Sequence, residues 1–232
     1  MTVREVLARM QAMASRRNKE GMARFGIRPT TTTLGISIWE LRRLKREIGT
    51  DHRLAQQLWA SKIHEARILA SFIEDPARVT SSQMERWVRA FDSWDIVDQV
   101  SALFAATPYA RAKIRQWAAR DEEFVKRAAF SLIAELAWYD KTVTDRGFEA
   151  FFPLITRAST DERNFVKKAV NWALRNIGKR NRRLNRGAVA LAKKLRASGS
   201  PSARWIGAGA LRELTSEAVQ RRLAGMRPKP VL

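Results

Sequence analysis

Trp94 and Asp98 stand four residues apart in Ser93-Trp-Asp-Ile-Val-Asp98, and on a helix that spacing puts an indole and a carboxylate one turn apart on a shared face. A carboxylate can stabilise a developing cation, and the π face of an indole attracts positive charge. On the wheel of this segment Ile96, Val97, Val100, Leu103 and Phe104 share one side. The core claims that side, and Trp94, Asp98 and Ser101 fall opposite. A second tryptophan has a related setting. In the helix from Asp161, the residues Val166, Val170, Ala173, Leu174 and Ile177 form the apolar stripe, while Lys168, Trp172, Arg175 and Lys179 form the opposite one. An aromatic among cations suits a sugar, a base or a cationic ligand.

The remaining tryptophans, Trp39, Trp59, Trp87, Trp117, Trp138 and Trp205, are expected in the core, where large aromatics usually reside. His64 beside Glu65 has the chemistry of a general base, but a histidine at a helix start is more often a structural hydrogen-bonding group, and that role is expected here. The chain contains no Walker loop, no nucleophile elbow and no zinc-protease helix. Gly207-Ala-Gly209 matches only the start of a dinucleotide fingerprint and predicts close helix packing instead.

Apolar residues recur at helical spacing almost everywhere, with no alternating strand, so an all-α fold is expected. The expected helices span 2–15, 18–25, 37–48, 52–60, 62–73, 80–90, 93–105, 109–119, 122–138, 145–157, 162–178, 184–197, 201–214 and 216–223. Ser37 with Glu40, and Thr80 with Gln83, fit the capping-box pattern. Gly26 to Gly35, with Pro29 and four consecutive threonines, is the least regular stretch. Phe124-Val-Lys-Arg-Ala128 returns as Phe165-Val-Lys-Lys-Ala169, 41 residues later. That period suits HEAT or armadillo-type helix pairs, so the expectation is a curved α-solenoid of HEAT-like repeats whose inner surface cradles a long ligand. The echo sets Arg127 where Lys168 falls, beside Ser131 and Ala134, in reach of a phosphate or of Asp98. One domain is expected over 1–226, with a short frayed tail at 227–232.

The 232 residues carry 44 Lys and Arg against 23 Asp and Glu, a net +21, and no cysteine. Disulfide scaffolds and cysteine-ligated metal sites are thereby excluded, and two histidines are a thin basis for any other transition-metal site. The N-terminal residues resemble no targeting signal, and no stretch has the roughly 18 apolar residues of a membrane span, so a cytoplasmic protein is expected. Residues 161–232 hold 18 basic and 4 acidic residues, a net +14. Such a surface binds nucleic acid through release of phosphate counterions. Arg16, Arg17, Arg42, Arg43 and Arg46 offer a second grip near the N-terminus.

Ser93-Trp-Asp-Ile-Val-Asp98, Phe124-Val-Lys-Arg-Ala128 and Asn164-Phe-Val-Lys-Lys-Ala-Val-Asn-Trp-Ala-Leu-Arg175 together resemble the AlkD-type DNA alkylation repair enzymes. The similarity runs from about Lys19 to Leu223 and includes Gly21-Met-Ala-Arg24, Leu34-Gly-Ile36 and Ile63-His-Glu-Ala-Arg67. Segment 28–33 departs from the family pattern. The resemblance implies a HEAT-like-repeat, monofunctional glycosylase that removes cationic alkylpurines such as 7-methylguanine and 3-methyladenine from double-stranded DNA without a deep base-flipping pocket. It places the catalytic aspartate at Asp98, the active-site tryptophans at Trp94 and Trp172, and the active-site arginine at Arg127. Lys168, Arg175, Lys179, Arg180 and Arg204 are the expected backbone grip. No cofactor or metal is implied, a monomer is expected, and DNA binding implies nucleoid association in a bacterial-type cytoplasm. The alternatives are a non-catalytic HEAT-repeat protein for branched or damaged DNA, and a scaffold for an acidic protein.

Overall fold

Periodic apolar stripes fold as helices throughout the computed structural model, which describes residues 1–225; the tail expected at 227–232 lies outside them. No strand occurs among the described residues, and one isolated parallel bridge joins Thr32 to Ile63. The fold is all-α, and the chain forms two compact units, one from Met1 to Ala110 and one from Arg111 onward.

The first unit contains α1 (Val3–Ala12), α2 (Arg16–Met22) with a 3₁₀ turn over Ala23–Phe25, α3 (Ile38–Ile48), α4 (His52–Ala60), α5 (His64–Ile73), α6 (Ser81–Val88) and α7 (Trp94–Ala105). Ser37 and Glu40 close the expected capping box of α3. Thr80 caps α6 by accepting from the Gln83 amide, but the reciprocal half of its box is missing. The Gln83 side chain donates instead to the buried Glu74 carboxylate at 2.8 Å, which also meets His52 Nδ1 and Gln56 Nε2 at 2.6 Å each. A buried carboxylate needs several donors, and that need overrides the local cap. Trp59 and Trp87 stack in parallel at 3.9 Å, flanked by Phe91 and Phe104, and form the aromatic centre of this core.

The second unit contains α8 (Ala110–Ala118, beginning at the boundary), α9 (Glu123–Tyr139), α10 (Asp145–Glu149), α11 (Phe152–Ala158), α12 (Asn164–Gly178), α13 (Arg182–Arg196), α14 (Pro201–Leu214) and α15 (Glu217–Gly225). The helix expected over 145–157 is two helices, because Pro153 lacks an N–H and its ring would strike the Glu149 carbonyl in a continuous helix. α13 begins earlier than expected, where Asn181 Oδ1 accepts from the Leu184 amide at 2.9 Å. The helices that open on the repeated pentapeptides, α9 and α12, start 41 residues apart and pack side by side, with the Phe124 and Phe165 rings 5.8 Å apart. Across that seam Asn176 Nδ2 donates to the Ala134 carbonyl at 3.2 Å. The expected helix contact at Gly207 is present. A Cβ there would meet the Arg196 amide, the Ala192 carbonyl at 2.6 Å and Arg196 Cα at 2.9 Å, so only glycine lets α13 and α14 approach this closely.

The expectation of buried tryptophans holds for Trp59, Trp87 and Trp117 and fails for the other three. Trp39, Trp138 and Trp205 are 77%, 55% and 46% exposed. Composition assigns an indole to the core on average, whereas each of these lies on a helix side that no neighbouring helix covers. Arg42 lies over the Trp39 ring and Lys167 over the Trp205 ring.

Candidate nucleic-acid interface

Ser93 precedes α7 in an extended conformation, but its hydroxyl does not cap the helix. It donates to Asp95, whose second oxygen faces His64 Nε2 at 2.7 Å. His64 is the first residue of α5, so this pair clips the N-termini of α5 and α7 together. The side chains are 1% and 14% exposed. Burial works against a charged imidazole, yet the carboxylates of Asp95, Glu65 and Asp92 outweigh it and raise the His64 pKa. Burial likewise pushes the Asp95 carboxyl up, and His64, Ser93 and the Ile96 amide more than offset that, leaving it below the usual carboxylate range. His64 is therefore structural, as expected, and its partner is Asp95. The neighbouring Glu65 is turned elsewhere and accepts from the Leu34 and Gly35 amides at 2.9 and 2.7 Å.

Held by this clip, Trp94 and Asp98 lie half-buried one turn apart, opposite the buried Ile96, Val97, Val100 and Phe104. Trp94 Nε1 donates to the Phe25 carbonyl at 2.9 Å, which fixes the indole. Ser101, expected on the same open face, is fully buried. A helical wheel reports direction and not depth, and a small side chain such as Ser101 is covered where the larger Trp94 and Asp98 are not. The irregular segment before α3 is ordered by carboxylates: Asp92 accepts from the Thr30 amide and hydroxyl at 2.8 Å each.

In the second unit the expected basic stripe of α12 is present, with Lys168 exposed and Trp172, Arg175 and Lys179 half-buried. Glu213 of α14 takes Arg175 and also Lys179, the latter at 2.8 Å. Burial raises the Glu213 carboxyl, but the two cations prevail and hold it below its ordinary value. Those two charges are thus partly neutralised within the protein. Arg127 is 5% exposed and Nη1 donates to the Phe165 carbonyl at 2.7 Å, so it is set into the α9–α12 seam instead of standing on an open face. Arg180, expected on a DNA backbone, is turned inward: it donates to the Ala137 carbonyl at 2.7 Å and covers the Phe148 ring at 4.3 Å. The end of α9 needs donors for its last carbonyls, and Arg180 supplies them. Arg204 is exposed and donates to the Gly199 carbonyl at 2.7 Å.

Residue-by-residue reasoning missed Arg182, Arg186, Lys193, Lys194 and Arg196 of α13, all exposed and without a carboxylate partner among the described residues. The signal was available: α13 contains no acidic residue at all. Among the described residues no group of three or more His, Asp or Glu side chains could hold a metal, and no helix is long and apolar enough to cross a membrane.

Helices packed in succession, with cations and tryptophans on their open sides, are the architecture of a helical-repeat protein. The chain belongs to the DNA alkylation repair enzyme family, whose model matches residues 6–204. Among solved structures it is similar to a member of "a new family of proteins related to the HEAT-like repeat DNA glycosylases with affinity for branched DNA structures", with TM-score 0.74 and 20% identity over 84% of this chain and 83% of that one. That likeness establishes the HEAT-like-repeat fold. A designed armadillo repeat protein also matches, with TM-score 0.33 and 15% identity over 75% of this chain and 92% of that one. No curated protein matches the chain.

Proposed function

We propose that this protein is an alkylpurine DNA glycosylase that hydrolyses the N-glycosidic bond of cationic purines such as 7-methylguanine and 3-methyladenine in duplex DNA. The observation that carries the proposal is the pairing on α7 of a half-exposed carboxylate, Asp98, with the fixed indole of Trp94, in a chain of the DNA alkylation repair family. An alkylated purine already bears positive charge, so it leaves with the electron pair of the C1′–N bond as a neutral base. Positive charge then collects on the deoxyribose, and Asp98 stabilises it while orienting the water whose oxygen bonds to C1′. The water proton passes to Asp98 or to solvent. Trp94 adds aromatic attraction to the developing cation, and Trp172 offers a second aromatic surface to the DNA. Arg127 adds positive charge from within the α9–α12 seam, and Lys168 with the α13 cations supplies the electrostatic grip on phosphates.

The test is single-turnover release of 7-methylguanine from a duplex. Asp98→Asn should slow release by about 100-fold or more, the scale of removing one preorganised electrostatic group, while duplex affinity stays within a few-fold. Equal release by both proteins would remove Asp98 from the chemistry. No release by either, with salt-sensitive duplex binding retained, would replace the proposal with a non-catalytic DNA-binding function of the branched-DNA kind.

A further inference from the structure

α3 presents an aromatic and three cations on the side away from its core. At about 100° per residue, Arg42, Arg43 and Arg46 fall within roughly 60° of Trp39, while Leu41, Leu44 and Ile48 fall on the opposite side. Leu41 and Leu44 are buried, and Trp39 is 77% exposed with the Arg42 guanidinium carbon 6.0 Å from its ring centroid. The acids of this helix are engaged elsewhere: Glu40 accepts from the Ser37 amide and hydroxyl at 2.9 and 2.8 Å, and Glu47 pairs with Arg9 at 2.6 Å. Arg42, Arg43 and Arg46 therefore have no ion-pair partner among the described residues.

Three unpaired guanidiniums suit phosphates, which they bind bidentately, and the indole among them suits the flat face of a base. A fully paired duplex offers phosphates but keeps its base faces inside the stack; an unpaired strand offers both. The stripe from Trp39 to Arg46 runs roughly 10 Å along the axis, and the long side chains of the three arginines extend its reach to the phosphates on either side of a base stacked on Trp39. A lipid surface would also attract arginines and a tryptophan, but an interfacial helix inserts a continuous apolar face, and the apolar face of α3 is buried in the protein.

We propose that α3 binds an unpaired DNA strand, with a base stacked on Trp39 and the flanking phosphates on Arg42, Arg43 and Arg46. Duplexes bearing a single-stranded arm or gap are then held by a contact that blunt duplexes lack. The inference rests on DNA being the ligand, as in the proposed function, and is independent of the chemistry at Asp98.

The test uses the full chain with a blunt duplex and the same duplex carrying a 3′ thymidine tail, at about 50 mM salt, where phosphate contacts are strong. Wild type should prefer the tailed duplex by about tenfold, the low-to-middle range for loss of one stacked base. Trp39→Ala should abolish that preference and Trp39→Phe should keep most of it, with release of 7-methylguanine from the blunt duplex unchanged by either. Replacing Arg42, Arg43 and Arg46 together by Ala should flatten the log affinity against log salt slope for the tailed duplex by about 2, from roughly 0.7 per phosphate contact on a single strand. The proposal is overturned if wild type shows no preference, or if Trp39→Ala keeps it or weakens both duplexes equally. It is also overturned if that variant loses binding only to anionic phosphatidylserine vesicles. Absence of base release by wild type, with the tail preference intact, would instead count against the glycosylase function alone.

Discussion

Asp95→Asn should destabilise the protein more at pH 5.5 than at pH 7.5. In the wild type the His64 pKa is raised above 6.5 and the Asp95 pKa is lowered below 3.8. Stability from the raised histidine is complete below 6.5 and lost as pH rises through its folded value; that from the lowered aspartate is present above 3.8 and lost as pH falls through its folded value. The pair therefore contributes fully between those two values. Asparagine preserves shape and can still accept from Nε2, but takes from an almost fully buried imidazole the carboxylate that does most to offset its burial, leaving only the weaker influence of Glu65 and Asp92. Burial then dominates, the folded pKa drops below 6.5, and the sign of the linkage reverses. At pH 5.5 the unfolded chain holds a proton that the folded chain resists, at a cost of about 1.4 kcal/mol per pH unit. Loss of the carboxylate from the first turn of α7 and weakening of its hydrogen bonds add about 1 kcal/mol at both pH values. The expected loss is about 1 kcal/mol at pH 7.5 and 2 to 3 kcal/mol at pH 5.5. Urea denaturation of both proteins at the two pH values reads this directly, and other titrating groups cancel in the difference. A loss that is equal at the two pH values, or larger at pH 7.5, would refute the ion pair.

Gly207→Ala should destabilise by about 1 to 3 kcal/mol despite the better helix propensity of alanine, because its methyl would strike the α13 backbone; an unchanged urea midpoint would show that the helices separate freely there. Glu65→Gln leaves at least one of the Leu34 and Gly35 amides without an acceptor, at about 2 kcal/mol. Hydrogen exchange at those two amides should accelerate well beyond the global change, and uniform acceleration would contradict a local anchor.

Local rules carried a large part of the architecture. The capping box of α3 and the paired starts of α9 and α12 depend on residues a few positions apart or on a repeat visible by inspection, and so does the break at Pro153, which the single helix expected over 145–157 overlooked. The opposition of Trp94 and Asp98 to the α7 core was likewise legible, since helical periodicity reports direction. Tertiary structure alone decided which charges are already answered: Glu213 lies 38 residues from Arg175, Asp95 lies 31 from His64, and Asp92 lies 62 from Thr30. It also decided depth, placing Ser101 inside and Trp39 outside, and turned Arg180 onto the carbonyls of α9. Periodicity and capping arise from hydrogen bonds within about one helical turn, so they are written in adjacent residues. Burial and ion pairing depend on which helix comes to lie against which, and no single segment contains that information.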